Sequence, residues 1–365
     1  MRRFGLKLIG FVMLVGILHA SAFDAGAVFL LIYPGAKATS LGGAFCALSD
    51  DATALYYNPS AIAQKKDFEI TLMHSPWLRG LAPDMYYEYI GLVRPLPVGA
   101  AGISITYATY GVFQGYGPDG EYYGEWRPYD VAVNLAYAYN VNPRLNVGGN
   151  VKFIYSFLAP TEILRKATGV EGGGKGSSFA VGGSMLYTIL DKKMQYSNNK
   201  WLNMKLTYGL QLDNFGPGIK YSSSTDERDP LPYLMRNGLA FKVKIPYNTF
   251  TLAFDINKVL VGITRDYSDR GFKYVFDEAW KHAGFEYTFY NMLSLRVGYF
   301  LDEDGARKGI TYGAGFHISN FRLDVSDDSK IYSFNNKGAN LRYALTYSMP
   351  LGPHKKGKEN EKDSH

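Results

Sequence analysis

Two glycine patterns and three acidic clusters are the residues of this chain whose spacing suggests chemistry. Gly115-Tyr116-Gly117-Pro118-Asp119-Gly120 has the G-x-G-x-x-G spacing of a dinucleotide fingerprint. That pattern cradles a pyrophosphate only where it follows a strand and opens a helix. Here Glu121-Tyr122-Tyr123-Gly124 follows with no helical periodicity, so the segment reads as turn chemistry in an exposed loop. Gly169 to Lys175 approaches the phosphate loop G-x-x-x-x-G-K, but Gly176 stands where a Ser or Thr would hold magnesium, and a strand pattern follows. His74, His282, His317, His354 and His365 show no ligand spacing, and a lone Cys46 completes no zinc set. Asp226-Glu227-Arg228-Asp229, Asp302-Glu303-Asp304 and Asp327-Asp328 lack the full ligand spacing of a calcium loop and read as solvated loop charge. No Ser/His/Asp arrangement stands out. The expectation is therefore no nominated catalytic residue, no cofactor and no metal; an outer-membrane phospholipase or protease barrel stays open, because a triad at a lumen or rim is not readable from spacing.

Composition explains why chemistry is so sparse. The 365 residues include 30 Tyr, 22 Phe and 4 Trp, so that 15% are aromatic, with 40 Gly, only 20% charged residues and one Cys. This is too apolar for disorder, has too few cysteines for a disulfide framework, and suits β-structure, where aromatics pack on pleated surfaces. Arg2, Arg3 and Lys7 precede an apolar run from Leu8 to Leu18, and Ala20-Ser21-Ala22 is an A-x-A site. The run is too short to span a bilayer, so residues 1–22 read as a signal peptide, with the mature chain starting at Phe23. Losing those three cations takes the formal net charge from +6 to +3, which does not call for nucleic acid as a partner. No later stretch reaches the roughly 18 apolar residues of a transmembrane helix. Any insertion of the exported chain into a bilayer must therefore be as a closed barrel.

The elements follow from period-two alternation. Met204, Leu206, Tyr208, Leu210 and Leu212 share one face, while Lys205, Thr207, Gly209, Gln211 and Asp213 share the other. The same pattern predicts fourteen strands: 68–75, 85–94, 99–109, 129–140, 144–158, 177–190, 201–213, 234–245, 249–257, 280–289, 292–301, 309–319, 321–327 and 340–349. Connections after odd-numbered strands are mostly long (76–84, 110–128, 159–176, 214–233, 258–279, 302–308, 328–339). Those after even-numbered strands are mostly short (95–98, 141–143, 191–200, 246–248, 290–291). Sorting by parity is the habit of outer-membrane barrels, with long external loops and short periplasmic turns. The apolar faces suit lipid. The opposite faces carry Gly, Ser, Thr, Asn and scattered charges (Lys152, Lys205, Asp255, Glu286, Arg296, Arg342), as a polar lumen allows. The fold class is thus all-β: a transmembrane outer-membrane β-barrel of about 14 antiparallel strands.

Residues 23–67 do not alternate. Ser49-Asp50-Asp51 is a helix N-cap signal, Ala52 to Tyr57 suits a short helix, and Asn58-Pro59 stops it, because proline disfavours α geometry in the residue before it. This segment is expected to fold into the lumen as a plug, with Tyr56-Tyr57-Asn58-Pro59 as its motif. Residues 68–350 form the barrel. Residues 351–365, with four Lys, two Glu and one Asp from Pro353 on, form a charged periplasmic tail.

The motifs then resemble a known family. Pro34-Gly35-Ala36-Lys37-Ala38, Leu41-Gly42-Gly43-Ala44-Phe45, Asp50-Asp51-Ala52 and Tyr56-Tyr57-Asn58-Pro59 are similar to the N-terminal signature of the PorV/PorQ family, relatives of the FadL-type barrels. Met85-Tyr86-Tyr87-Glu88-Tyr89, Gly102-Ile103-Ser104-Ile105-Thr106-Tyr107, Lys152-Phe153-Ile154-Tyr155-Ser156 with Leu158-Ala159-Pro160, Asp229-Pro230-Leu231-Pro232, Asp255-Ile256-Asn257-Lys258 and Leu295-Arg296-Val297-Gly298-Tyr299-Phe300 extend the likeness, closest to the PorV members, over nearly the whole mature chain. Ser60-Ala61-Ile62 departs from the more frequent Ala-Gly-Leu. The chain also lacks a terminal aromatic, so an internal assembly signal is expected at Tyr347 to Leu351.

The resemblance implies a non-enzymatic barrel of the type IX secretion system in the bacterial outer membrane. Such a barrel would bind cargo C-terminal signal domains at an outer-membrane translocon subunit and pass them to surface attachment proteins. A FadL-like transporter of hydrophobic compounds is the alternative, with 23–67 as a movable hatch. Partner and cargo contacts are expected in loops 110–128, 159–176, 214–233 and 258–279. Trp77, Phe113, Tyr116, Tyr122, Tyr123, Trp126, Asp226, Arg228, Arg265 and Tyr267 are the candidate residues, aromatics beyond the membrane girdle being suited to protein contacts.

Overall fold

The computed structural model describes residues 25–351 apart from 49, 79–82, 118–119, 169–172, 198–199, 223–225, 262, 304 and 332–339. The expected signal peptide and all but the first residue of the expected tail lie outside the described residues. Among the described residues there are sixteen strands: β1 (Asp67–Pro76), β2 (Met85–Pro95), β3 (Ala100–Tyr110), β4 (Phe113–Tyr116), β5 (Tyr122–Trp126), β6 (Tyr129–Asn142), β7 (Leu145–Phe157), β8 (Lys175–Ser197), β9 (Lys200–Phe215), β10 (Leu234–Ile245), β11 (Asn248–Val259), β12 (Trp280–Phe289), β13 (Leu293–Asp302), β14 (Arg307–Ile318), β15 (Phe321–Asp327) and β16 (Leu341–Pro350). Fourteen of them form one closed antiparallel barrel, and β4 and β5 pair as a separate hairpin. The ring closes where β1 meets β16, from Asp67 opposite Pro350 to His74 opposite Tyr343. Closure leaves no open sheet edge around the wall, as a spanning sheet in hydrocarbon requires.

Polarity is inverted relative to a water-soluble domain. Phe179 is 61% exposed and Phe153 55%, whereas Arg236 is fully buried and Arg342 1% exposed. On β9, Thr207, Gly209, Gln211 and Asp213 point inward and are buried, while Leu206, Tyr208, Leu210 and Leu212 alternate outward. Lys152, Asp255, Glu286, Arg296 and Arg342 lie on the inner face, all buried. Outward-facing aromatics gather near both ends of the wall: the half-buried Tyr107 stacks on Tyr129 at one end and the exposed Tyr247 on Tyr290 at the other, as interfacial girdles do.

The departures from expectation lie at the ends. β8 runs to Ser197, so the connection expected at 191–200 is strand on either side of residues 198–199. The side chains from Asp191 to Ser197 are mostly polar and mimic a turn, but backbone pairing with β9 carries them as sheet. Three of the long loops have structure of their own: the β4–β5 hairpin, helix Thr161–Thr168 and helix Ile263–Asp277. The last is broken at Gly271, whose φ of 79° no ordinary helix residue adopts. That break and the polar first half hide the helix from a periodicity reading.

Leu206 provides a test of the wall. Leu206→Lys is expected to cost about 2–4 kcal/mol of folding stability near the midplane, measured as a shift in the urea midpoint for refolding into vesicles. A shift below a few tenths would remove this face from the lipid.

Candidate functional site

The segment ahead of β1 packs against inward-facing groups from strands all round the ring. Its own elements are short: helix α1 (Ala36–Ser40), helix α2 (Ala54–Tyr57) and a 3-10 stretch over Pro59–Gln64. Asn58 takes an extended φ of −168° and ψ of 90° before Pro59, ending α2 as expected. The residue capping α2 is Thr53, which makes no side-chain cap bond. Asp51 instead accepts from the Thr53 amide at 2.9 Å and pairs with Arg322 of β15 at 2.6 Å. Lys37 of α1 bridges Asp50 at 2.6 Å and Glu286 of β12 at 3.2 Å. Arg296 of β13 joins Glu286 at 2.6 Å and Asp324 at 2.7 Å. On the strand next to β12, Asp255 of β11 accepts from the Phe45 and Cys46 amides at 2.9 and 2.8 Å.

The Tyr-Tyr-Asn-Pro motif knots the segment to itself and to the wall. Tyr56 and Tyr57 donate to the Leu30 and Pro34 carbonyls, each at 2.9 Å. Asn58 donates to the Cys46 carbonyl at 2.9 Å and the Met185 carbonyl of β8 at 3.0 Å. The Arg236 guanidinium of β10 lies 4.4 Å from the Tyr56 ring centre and donates to the Tyr56 carbonyl at 3.3 Å. Inward glycines permit this close approach. A Cβ on Gly298 would stand 2.1 Å from the Gly42 nitrogen, and one on Gly209 would stand 2.3 Å from the Cys46 carbonyl oxygen.

Above the segment, toward the long loops, two cavities meet at Val28 and Tyr110. One, of about 410 Å³, is lined chiefly by Phe29, Ile32, Tyr33, Trp77, Trp280 and Phe300, with Asp302, Arg307 and Asp328 at its polar side. The other, of about 830 Å³, lies beneath Phe113 and Leu158. Trp280 and Phe300 escaped the sequence reading. Their signal was available: both are large aromatics at inward positions, near the loop ends of β12 and β13, where alternation otherwise places polar groups.

The candidate contact residues fall into three groups. Phe113, Tyr116, Tyr122, Tyr123 and Trp126 come together on the β4–β5 hairpin, with Phe113 and Trp126 rings 6.1 Å apart and Tyr116 and Tyr122 5.5 Å apart. Of the glycine pattern, Gly115 lies in β4, and the Gly117 amide donates to the Glu121 carbonyl at 2.8 Å. Trp126 Nε1 donates to the Leu158 carbonyl at 2.7 Å, and Ile163 and Lys166 of α3 (Thr161–Thr168) rest against the hairpin's Gly115 and Tyr123. Phe113, Tyr116 and Tyr122 remain about half exposed. Trp77 is turned inward, its ring 6.2 Å from Tyr110, and lines the smaller cavity.

Asp226, Arg228 and Tyr267 are exposed in other loops and share no hydrogen bond, ion pair or ring contact with the hairpin among the described residues. Lys220, 3.0 Å away, holds the Asp226 carboxyl below its usual range by hydrogen bond and charge. Arg265 lies in α4 (Ile263–Asp277), and its side chain is outside the described residues. Among the described residues no group of three or more His, Cys, Asp or Glu is placed to hold a metal.

Residues 19–266 match the family model described as "Type IX secretion system protein PorV". No curated protein matches. Similar solved structures include the Pseudomonas putida toluene transporter TodX (11% identity, TM-score 0.49, covering 88% of this chain and 99% of that one). The Ralstonia pickettii toluene transporter TbuX is 12% identical, with TM-score 0.45 and 89% and 100% coverage. A Pseudomonas aeruginosa FadL homologue is 9% identical, with TM-score 0.39 and 84% and 96% coverage.

The ion pairs predict how firmly the inner segment is held. Cys46, the single cysteine, is fully buried. It is expected to resist maleimide in the native barrel and to react only once the segment leaves. Arg322→Ala strips Asp51 of its partner, which is expected to destabilise the fold by about 3 kcal/mol and speed Cys46 labelling, followed by intact mass. Labelling no faster than in the parent would mean these pairs do not hold the segment.

Proposed function

This chain belongs to the PorV family of the type IX secretion system and resides in the bacterial outer membrane, and from that premise we propose that it is a cargo carrier. It binds the C-terminal signal domains of exported proteins at a translocon subunit and delivers them to surface attachment proteins. Residues 23–67 act as a plug that closes the lumen, so cargo passes over the rim rather than through the barrel.

The observation that carries this reading is the aromatic hairpin on the side of the long loops. Phe113, Tyr116 and Tyr122 present half-exposed rings on a two-stranded support braced by α3. Rigid aromatics of this kind dominate protein interfaces because they bury large area at small entropic cost. Trp126 and Tyr123 shape the hairpin, while Asp226, Arg228, Arg265 and Tyr267 supply rim contacts from the neighbouring loops. Replacing Tyr116 and Tyr122 together by Ala is expected to weaken cargo binding by about 2 kcal/mol or more. Co-purification after mild detergent extraction checks it. Recovery of neither a translocon subunit nor a signal domain with the parent protein would end the proposal.

The apolar cavity of about 410 Å³ favours a second reading, a FadL-like carrier of hydrophobic compounds with residues 23–67 as a movable hatch. That reading predicts Cys46 labelling that rises with a hydrophobic ligand. Labelling that stays flat across ligands would count against it.

A further inference from the structure

On the side of the short turns, the β8–β9 hairpin outruns its neighbours. β8 pairs with β7 as far as Tyr187, and the Thr188 amide makes a last bond of 2.7 Å to the Arg144 carbonyl. From Leu190 to Ser197 its pairing is with β9 alone. Tyr187 stands with Tyr139, Tyr247 and Tyr290 among the exposed aromatics at this end of the wall. At roughly 3.3 Å per residue and a tilt of about 40°, the end of β8 lies about 25 Å beyond Tyr187. A headgroup layer is roughly 5–8 Å deep, so on the β7 flank the strand reaches through it; on the other flank β10 covers β9 as far as Asn203, opposite Lys193, and only residues 194–197 stand clear of both neighbours.

This projecting ribbon has one free edge, along β8, whose alternate backbone N–H and C=O groups face away from β9. It is also basic. Lys192 and Lys193 are exposed on it, with the Lys193 ammonium 4.8 Å from the Trp201 ring centre. Arg144 and Lys244 are exposed at the neighbouring strand ends. None of these four cations forms an ion pair among the described residues, and the carboxylate beside Lys192 is Asp191. A free edge crowded by lysines repels a second copy of itself and attracts a strand of opposite charge. We propose that the free edge of β8 from Ile189 to Ser197 is a docking strand for an extended acidic segment of a periplasmic protein, which adds to the ribbon as a third strand.

The test uses the full chain in phosphatidylcholine nanodiscs and a fluorescent synthetic peptide of alternating Glu and Thr, with a Lys-Thr peptide as control. Saturable binding is expected for the Glu-Thr peptide alone, weakened by added salt, with slowed amide exchange confined to residues 189–197. Reversal of both charges (Lys192→Glu with Lys193→Glu) should weaken binding about tenfold while the barrel keeps its heat-modifiable migration on gels. Binding unaffected by salt and by the charge reversals, or protection spread away from 189–197, would overturn the proposal. So would the same protection produced by phosphatidylglycerol discs without peptide, which would assign the patch to lipid. No cargo enters the assay, so its failure leaves the carrier reading standing.

Discussion

Pairing the charges of the inner face is the constraint on which the rest of this structure depends. A barrel wall facing lipid turns its polar side chains inward, and here that side includes Lys152, Asp213, Arg236, Asp255, Glu286, Arg296, Asp324 and Arg342, all buried. An isolated buried charge costs several kcal/mol. Some pairs are made strand to strand, as between Lys152 and Asp213 at 3.0 Å. Others need a partner the wall does not supply. Lys37, Asp50 and Asp51, and the amides of Phe45 and Cys46, bring it from the segment ahead of β1. Wall and segment are therefore one fold, each leaving the other's polar groups unsatisfied if removed.

That arrangement sorts function to the two ends. With the interior occupied by polar contacts, two apolar cavities lie toward the long loops, over Val28, Phe29 and Ile32 and under the β4–β5 hairpin. The same end gathers the half-exposed rings of Phe113, Tyr116 and Tyr122. The end with the short turns is plain except where β8 and β9 overrun it, and its charge is predominantly positive.

How much of this was legible depended on how local the cause was. All fourteen barrel strands were readable, because a wall with lipid on one side and polar groups on the other imposes period two on each strand separately. The end of α2 at Asn58-Pro59 was readable because proline restricts its immediate neighbour. Helix Ile263–Asp277 was not, since Gly271 breaks it and half of it is polar. Nor was the overrun of β8, where the polar run from Asp191 to Ser197 mimics a turn and only pairing with β9 makes it sheet.

By itself the sequence determined the number of barrel strands, their faces, the parity of the loops and the family, since each is written in residues a few positions apart. The tertiary structure alone decided what meets what: Lys37 with Glu286, Asp51 with Arg322, Trp77 turned inward against Tyr110 while Phe113 and Tyr116 stay out. Those contacts join residues up to hundreds of positions apart. They are set by barrel closure and register, which fix where each inward side chain stands around the ring. No local pattern encodes that angle.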